Sequence, residues 1–506
     1  PSDSFYRRYV GGQGFVSYYL LKEVPQGADP LGPDNRLIFA GGATTGIPVA
    51  GGGRSCVGGK SPLTGGLGEA DVGGFFGAEL KRAGYDAIVV KGKAASPVYL
   101  WIRDGEAEIR SAEALWGTTT LECLEGLKAD LGDARIRAAM IGPGGEKLSP
   151  LACVINDLRH AAGRTGLGAV MGSKNLKAVV ARATQSVEVA DSDGLRELAR
   201  WMVEHWREDA ADLHDTGTDG GLEDLSLQGA LPTRNFQDGQ FEGASRITGS
   251  TMRDTILVGR ESCFACPIRC KRMVEVADDE YQVDREYGGP EYETMAAFGS
   301  NCGVDDLRAI AKANELCNAY GMDTIGTGMA VSFAMECAEA GLLSEADTGG
   351  LDLRFGNARV MVELTRMICE REGLGEVLAQ GSAPSRNKAP DSITEVLASM
   401  SALDFADCPG NAVFDFQLPL TPHLTVPILS ATLRSALASG VATVQPNLVD
   451  VEVLKDAQIH PEEHPDLTVR IAGLSALFVK LDKEEGFIGC EALRAQRKEG
   501  LSQKLA

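Results

Sequence analysis

Three cysteines, Cys263, Cys266 and Cys270, stand within eight residues of one another in this chain of 506 residues, at C-x2-C-x3-C spacing. One short loop with this spacing can direct three soft thiolate ligands at a single point, which suits an iron–sulfur cluster. A structural zinc site is the alternative, but zinc usually takes paired CxxC motifs or cysteine with histidine, and no second pair occurs in the sequence. The spacing therefore favours a [4Fe-4S] cluster. Its order is the reverse of the C-x3-C-x2-C motif of radical-forming SAM enzymes, so that class is disfavoured.

A cubane cluster needs a fourth ligand, and the triplet supplies three. The candidates are Cys408 in ALDFADCPG and Cys490 in EEGFIGCEAL. Chain spacing does not choose between them. Either one would tie the last part of the chain to the middle part.

The net charge of −22 argues against nucleic acid and against an anionic membrane surface as partners. The net charge does not exclude a phosphate-bearing cofactor, because local arginines and backbone N–H groups determine phosphate binding. No apolar run approaches the ~18 residues of a membrane-spanning helix, and no signal peptide is recognisable. Twelve cysteines, mostly single and in apolar segments, predict a reduced, cytoplasmic protein. The start at Pro1 suggests that residues are missing upstream.

The hydrophobic pattern changes along the chain. Residues 1–185 are rich in glycine and β-branched residues, and segments such as RLIFAGG, YDAIVVKG and LKAVVARA predict strands. An Asp-Gly pair at 104–105 predicts a hairpin. Apolar residues then recur at helical spacing after Asp193, a candidate N-cap. We expect a loop at 217–229 and a pair of helices broken at Gly321.

Two glycine-rich loops in the first region share a Gly-Arg-Ser/Thr motif, at residues 51–55 and 163–165. Glycine lets backbone N–H groups approach an anion closely, and arginine adds a bidentate donor. Two such loops predict binding of two anionic groups, from two similar cofactor halves. The competing interpretation is that these loops merely join strands.

Four segments strongly resemble the aldehyde ferredoxin oxidoreductase family: the stretch from GGATTGIPVAGGGRSC to AIVVKGKA, IGPGGEKLSPLACVINDLRHAAGRTGLGAVMGSKNLKAVVARA, CFACPIRCKR, and GPEYETMAAFGSNCGVDDLRAIAKANELCNAYGMDTIGTG. The resemblance covers residues 5 to about 380. It implies an α+β fold with a β-rich saddle domain at 1–185, followed by two mainly α-helical domains. These would be a domain with the cysteine motif at 186–390 and a divergent or shortened domain at 391–506.

The resemblance also implies the cofactors and the reaction. Family members hold tungsten, or less often molybdenum, between two pterins whose phosphates are bridged by Mg²⁺, and no side chain ligates the metal. They oxidise aldehydes to carboxylic acids and pass electrons through a [4Fe-4S] cluster to ferredoxin. We therefore expect an aldehyde substrate, a ferredoxin or ferredoxin-like subunit as partner, and a homodimer or hetero-oligomer.

The family motifs assign cofactor contacts to ten residues by position. These are Arg54, Asp71, Gly73, His160, Ala161, Gly163, Arg164, Asn318, Met322 and Asp323. The main-chain carbonyls of Asp71 and Ala161 would hold the Mg²⁺, and the Asp323 carboxylate would accept N–H groups of a pterin edge. This chain departs from the family by Asp71, where Asn is usual, and by His160, where Arg is usual and Arg159 is the neighbouring substitute.

Glu293 in GPEYET matches a carboxylate near the metal that positions water or relays a proton. The third domain departs further, because FADCPGNAVFDF lacks the Arg and His of the family motif. EGFIGC faintly matches the family's last cysteine motif, which favours Cys490 over Cys408 as fourth cluster ligand. The alternatives to an aldehyde oxidase are the aryl-CoA reductase branch of the same family and a non-catalytic electron-transfer subunit.

Overall fold

The computed structural model describes residues 2–381. It contains fourteen strands, numbered in chain order. They are β1 (Leu37–Gly41), β2 (Ser55–Lys60), β3 (Leu67–Val72), β4 (Ala87–Val90), β5 (Val98–Arg103), β6 (Glu106–Ser111), β7 (Arg137–Met140), β8 (Val154–Asn156), β9 (His160–Ala162), β10 (Leu176–Arg182), β11 (Leu257–Glu261), β12 (Lys271–Val274), β13 (Val276–Ala277) and β14 (Gln282–Val283).

Among the described helices, those longer than twelve residues all lie after residue 185. The helices are α1 (Asp3–Tyr9), α2 (Gln13–Glu23), α3 (Phe76–Arg82), α4 (Thr120–Leu131), α5 (Pro143–Glu146), α6 (Leu167–Ser173), α7 (Ser192–Thr216), α8 (Leu222–Leu227), α9 (Gly249–Thr255), α10 (Tyr292–Thr294), α11 (Leu307–Tyr320), α12 (Thr324–Glu339), α13 (Glu345–Thr348), α14 (Ala358–Glu370) and α15 (Leu374–Leu378). A π-helical turn, Met295–Gly299, follows α10. None of the helices in this part of the chain is long and apolar enough to cross a bilayer.

Two sheets make up the β-rich region. A four-stranded antiparallel sheet has the order β3-β2-β1-β4, and a six-stranded mixed sheet has the order β6-β5-β10-β7-β8-β9. In the second sheet only the β5–β10 pair is parallel. Helical segments dominate from α7 to residue 381. The predicted order, a β-rich region followed by helices, is confirmed for the described residues.

Strand β2 begins at Ser55, the last residue of the first glycine loop, and continues through a glycine-containing stretch that we did not predict to be a strand. Its glycines are buried at close approaches: a Cβ on Gly58 would lie 2.2 Å from Val16 Cγ1, and one on Gly59 would lie 2.8 Å from the Arg36 carbonyl oxygen. Glycine here therefore lets α2 and the start of β1 pack directly on the sheet. The Gly-Arg motif lies just before the strand, so only that part of the segment is a loop.

The turn between α11 and α12 is attached to the β-rich region through the main chain. Gly321 ends α11 in the left-handed conformation, as expected for a glycine C-cap. The Cys153 N–H donates to the Gly321 carbonyl at 2.8 Å, and the Asp323 N–H donates to the Leu151 carbonyl at 2.8 Å. These bonds fix the position of Asp323, whose side chain caps α12.

Two local predictions for the helical region were wrong. Helix α7 begins one residue before Asp193, because the side chain of Asp191 accepts the Gly194 N–H at 2.8 Å and is the N-cap. Residues 217–229 are not a loop throughout, since a 3₁₀ turn at Gly217–Gly221 leads into α8. In both cases caps and tertiary contacts set the boundaries of the helix, which apolar periodicity alone does not define.

Candidate functional site

The cysteine loop lies directly on the β-rich region. A Cβ on Gly73 would be 2.8 Å from Cys263 Sγ and 3.5 Å from His160 Nδ1, so this position accepts only glycine without displacement. The Phe264 N–H donates to the Gly74 carbonyl at 3.0 Å. Gly74 itself has φ +92°, and its Cβ would meet His160 Cδ2 at 2.9 Å. The end of β3, the start of β9 and the cysteine loop thus converge.

The three cysteines of the loop are partly exposed and are not in disulfides. The Cys266 N–H bonds to the Cys263 carbonyl at 3.1 Å, which closes a turn. Burial raises the pKa of the Cys270 thiol, and Glu291 and the other two cysteines of the loop raise it further, so the three thiols lie close enough to interact.

Among the described residues, only Cys56, Glu69 and Asp71 form a group of three donors within 4.8 Å of one another. The three loop thiols are not such a group, so at least two of their sulfur atoms lie more than 4.8 Å apart. The choice of a [4Fe-4S] cluster over zinc therefore rests on the spacing of the cysteines in the sequence and stays a prediction.

His160 is buried at the junction of β3, β9 and the cysteine loop. Its Nε2 has no hydrogen-bond partner. Burial, followed by the charge of Lys271, lowers the pKa of His160 to about 3. A neutral imidazole with an unpaired buried nitrogen fits a hydrogen bond to a bound group, because such a nitrogen otherwise costs free energy.

The second glycine loop meets the helical region through an ion pair. Arg164 Nε is buried without a hydrogen bond and lies 3.5 Å from Asp323 Oδ2. Glu293, on the short helix α10, interacts electrostatically with both residues. Burial in the surrounding protein raises the pKa of the Glu293 carboxyl, Arg164 lowers it and Asp323 raises it, although the side chain itself reaches solvent. These three predicted site residues therefore come together.

The other residues that we predicted to contact the cofactor differ in their exposure. Arg54 and Ala161 are exposed, and Gly163 is partly exposed at the loop. Asn318 is buried, with its amide donating to the Tyr287 carbonyl at 2.8 Å. Met322 is 1% exposed and packs against the α5 turn, where a Cβ on Gly144 would lie 2.2 Å from its sulfur. A pterin contact at Met322 would therefore have to use the main chain.

The side chain of Asp71 lies away from the cysteine loop. Asp71 is opposite Cys56 in the β2–β3 pair, so both side chains share a face of the sheet. Cys56 packs in the core beside Phe15 and Val16 of α2. The main-chain carbonyl of Asp71 can take part in a site near Gly73, as expected for a carbonyl that binds Mg²⁺. The carboxylate of Asp71 cannot.

Sequence reasoning missed a buried ionic network behind the cysteine loop. Arg272 is 1% exposed; it donates through Nη1 to the Cys270 carbonyl at 2.6 Å and through Nη2 to Glu291 at 2.9 Å. Asp219 is fully buried 3.7 Å from Arg272, and burial raises its pKa to about 7. Lys271 adds a 3.0 Å bond to Glu291. The network links the cysteine loop to the segment that carries Glu293.

Arg159 also has a structural role. Its guanidinium bridges Glu261 at 2.8 Å and Glu286 at 2.7 Å, and it is mostly buried. Because both ends of the guanidinium are occupied, the side chain ties β11 to the 3₁₀ turn at Arg285–Tyr287. Its Nε is buried without a hydrogen-bond partner, as is the Nε2 of His160, so Arg159 as the substitute for the arginine replaced by His160 stays a prediction.

Changing Gly217 to alanine should displace the Arg272 network. Gly217 has φ +70°, and a Cβ there would lie 1.5 Å from Arg272 Nη1. We expect a loss of at least about 2 kcal/mol of stability, from backbone strain and the displaced guanidinium, together with lower iron content. Denaturant titration and iron analysis measure both. Gly221→Ala is the matched control, since nothing lies within 4 Å of its Cβ; equal effects of the two changes would contradict this account.

Acid should destabilise the cofactor-free protein partly through His160. Its pKa falls from 6.5 in a flexible chain to about 3 in the fold, so its contribution is present above pH 6.5 and is lost as the pH falls toward 3. The loss reaches about 1.4 kcal/mol per pH unit. We expect His160→Asn to flatten this dependence in urea titrations between pH 6.5 and 5. Parallel curves for the wild type and His160→Asn would refute the assignment.

Comparison with known proteins gives the family. Residues 1–183 match the model "aldehyde ferredoxin oxidoreductase, N-terminal domain", and residues 197–406 match "aldehyde ferredoxin oxidoreductase, domains 2 & 3". Over 389 residues the chain is 43% identical to the tungsten-containing aldehyde ferredoxin oxidoreductase of Pyrococcus abyssi and 44% identical to that of Pyrococcus horikoshii. Each alignment covers 75% of this chain and 63% of the relative. The chain belongs to the aldehyde ferredoxin oxidoreductase family.

A solved structure shares the fold. The active-site complex of benzoyl coenzyme A reductase with 1,5-dienoyl-CoA aligns with a TM-score of 0.66 at 28% identity, covering 76% of this chain and 59% of its own. The chain spans about 63% of the length of the curated relatives above.

The family match ends before the last part of the chain. Residues 378–479 match a model described as "glycine radical". Cys408 and Cys490 both lie beyond the family match and outside the described residues, so the fourth cluster ligand stays a prediction.

Proposed function

We propose that this chain oxidises aldehydes to carboxylic acids, with water as the oxygen source and the release of an electron pair and protons. A tungsten or molybdenum bis-pterin, when bound, supplies Lewis acidity and a two-electron reservoir. Electrons leave through a [4Fe-4S] cluster to ferredoxin or a similar acceptor. The observation that carries the proposal is the meeting of the Gly73–Gly74 turn, His160 and Cys263 within a few ångströms.

The residues present fit a pterin with phosphates. The unpaired Nε2 of His160, beside the Gly73–Gly74 turn, and the Nε of Arg164, in the second glycine loop, are buried polar atoms. Arg54 carries an exposed positive charge at the first loop. Asp323, held by the main chain at the α11–α12 turn, would accept ring N–H groups, and the carbonyls of Asp71 and Ala161 would hold the Mg²⁺ between phosphates.

Glu293 would handle protons during the reaction. Burial raises the pKa of its carboxyl, which favours proton uptake, while Arg164 lowers that pKa and favours proton release. Because the Glu293 side chain also reaches solvent, it can pass a proton from the site to water.

Cys263, Cys266 and Cys270 would hold the cluster, with Cys490 preferred and Cys408 second as the remaining ligand. None of the ten described cysteines is in a disulfide, which suits the reducing cytoplasm that we propose as the location. We also propose that the chain acts in a homodimer or with a ferredoxin-like subunit. The boundaries 185 and 390 remain our proposed domain limits.

Aldehyde-dependent reduction of a viologen dye by anaerobically purified protein tests the function. We expect turnover with a simple aldehyde and none with benzoyl-CoA. The higher identity to aldehyde oxidoreductases, 43–44% against 28% for the benzoyl-CoA reductase structure, supports that order. Absence of aldehyde turnover in protein that contains the metal, pterin and cluster would refute the proposal.

A further inference from the structure

A cysteine and two carboxylates lie together on one face of the four-stranded sheet, outside the site described above. In the β2–β3 pair, Cys56 is opposite Asp71 and Gly58 is opposite Glu69. Residues two apart on a strand share a face, so the side chains of Cys56, Glu69 and Asp71 point to the same side of the sheet. The Cys56 Sγ and one oxygen of each carboxylate all lie within 4.8 Å of one another.

Gly58 makes this arrangement possible. It has no side chain opposite Glu69, so the Glu69 carboxylate can reach diagonally across the strand pair toward Cys56. Helix α2 covers the same face, since a Cβ on Gly58 would lie 2.2 Å from Val16 Cγ1. Cys56 is 1% exposed beneath this helix, Glu69 is partly buried and Asp71 is exposed. The three donors therefore form a group that is closed at the thiol and open to water at Asp71.

The negative charge of this group is not balanced by a basic residue. Between residues 2 and 381, no lysine or arginine forms an ion pair with Glu69 or Asp71. Burial raises the pKa of the Cys56 thiol, and Glu69 and Asp71 raise it further. The Oε1 atom of Glu69 is buried without a hydrogen-bond partner. An unpaired buried carboxylate oxygen costs free energy, which a bound cation would recover.

Other buried carboxylates in this chain have cationic partners. Glu79 accepts a hydrogen bond from Arg182 at 2.9 Å. Glu146, whose side chain is 5% exposed, pairs with Lys177. Glu69 has instead a thiol and a second carboxylate as neighbours, and this combination of sulfur and oxygen donors is a ligand set for a metal ion.

We propose that the Cys56 thiolate and the carboxylates of Glu69 and Asp71 bind one divalent transition-metal ion of the zinc class, separate from the bis-pterin and the iron–sulfur cluster. Water would complete the coordination on the open side, and the thiol proton would pass to solvent. The thiolate disfavours Mg²⁺ and Ca²⁺, which take oxygen ligands.

The size of the group fits such an ion. Zinc binds sulfur at about 2.3 Å and carboxylate oxygen at about 2.0–2.2 Å, so two of its ligands lie at most about 4.5 Å apart. Donor atoms already within 4.8 Å of one another need only small side-chain rotations to close on one ion.

The ion would fix an outer strand of the sheet. Strand β3 stands at one end of the order β3-β2-β1-β4 and carries two of the three ligands, while β2 carries the third. Directly after β3 comes the Gly73–Gly74 turn, which meets His160 and the cysteine loop. A metal that joins β3 to β2 would therefore also hold this turn, and because it binds the folded chain, it should stabilise the protein.

Zinc titration of the anaerobically purified protein, after removal of loosely bound metal, tests the site. We expect calorimetry to show binding of Zn²⁺ in the presence of excess Mg²⁺, and the melting temperature to rise on binding. Co²⁺ in the same site should produce a sulfur-to-metal charge-transfer band in the difference spectrum. Both Cys56→Ala and Glu69→Gln should weaken Zn²⁺ binding at least about tenfold, because each removes a ligand, and Cys56→Ala should also remove the band.

The matched control is Cys302→Ala. Cys302 is equally buried, but burial alone raises the pKa of its thiol, and no carboxylate acts on it. This variant should bind Zn²⁺ as the wild type does. Equal affinity in the wild type and in both site variants, or an equal loss in Cys302→Ala, would overturn the proposal. Displacement of Zn²⁺ by an equal concentration of Mg²⁺ would overturn it as well, since the thiolate would then not be a ligand.

Two features keep this test decisive. Glutamine has the shape of the glutamate that it replaces, so Glu69→Gln still answers the question if Cys56→Ala does not fold. The comparison is between variants of one group of residues on the β2–β3 face. It therefore holds whatever the cysteine loop carries, and whether or not the chain oxidises aldehydes.

Discussion

Replacing Cys266 with serine should leave the protein without its [4Fe-4S] cluster. The loop supplies three thiolates from a turn closed by the Cys266 N–H, and serine keeps the turn while offering a hydroxyl, which is a poor iron ligand. We expect the EPR signal of the dithionite-reduced protein to disappear and electron delivery to viologen to fall by at least about a hundredfold. Anaerobic EPR with iron and sulfide analysis measures the loss.

The control for this change is Cys123→Ala. Cys123 is fully buried in α4, and burial raises the pKa of its thiol to about 12, so it is an unreactive core residue. Its replacement should cost stability through packing alone and leave the EPR spectrum intact. An unaltered EPR signal in Cys266→Ser would exclude that thiol as a cluster ligand.

Replacing Glu293 with glutamine should abolish most aldehyde oxidation while the cofactors remain bound. The amide has the shape of the carboxyl but cannot take up a proton, and general acid–base groups contribute about 10²–10⁴ to rate. Metal, pterin and iron content should match the wild type, because no contact among residues 2–381 assigns Glu293 to holding the cysteine loop. Steady-state turnover, together with elemental analysis of the same preparation, makes the comparison.

Glu275→Gln provides the matched control, since Glu275 is an exposed carboxylate on the connection between β12 and β13. We expect wild-type turnover from it. Full activity of Glu293→Gln would remove this carboxyl from the mechanism. Loss of metal from that variant would show instead that the residue helps to build the site.

The sequence predicted those parts of the fold that rest on local chemistry. The Asp-Gly pair at 104–105 forms a two-residue hairpin with both residues at positive φ, and Gly321 ends α11 as a left-handed cap. Strand β2 was not predicted, because Gly58 and Gly59 have low strand propensity. Their role is tertiary: they admit α2 and β1 at distances that no other residue permits.

The candidate site shows the same division between features that the sequence predicted and features that it did not. The cysteine spacing identified the loop, and the family motifs identified Arg164, Asp323 and Glu293, which the structure brings together. The support beneath the loop was not predictable, because Arg272 and Asp219 are far apart in the chain and a buried pair leaves no periodic signal. One hint was available, since Gly217 stands shortly before α8 at a position where any side chain would collide with the Arg272 guanidinium.

Elemental and pterin analysis of anaerobically purified protein tests the central claim most directly. The account predicts tungsten or molybdenum together with pterin, and about four iron and four sulfide per chain. Protein that is well folded but carries zinc in place of iron, or that lacks both pterin and sulfide, would contradict it.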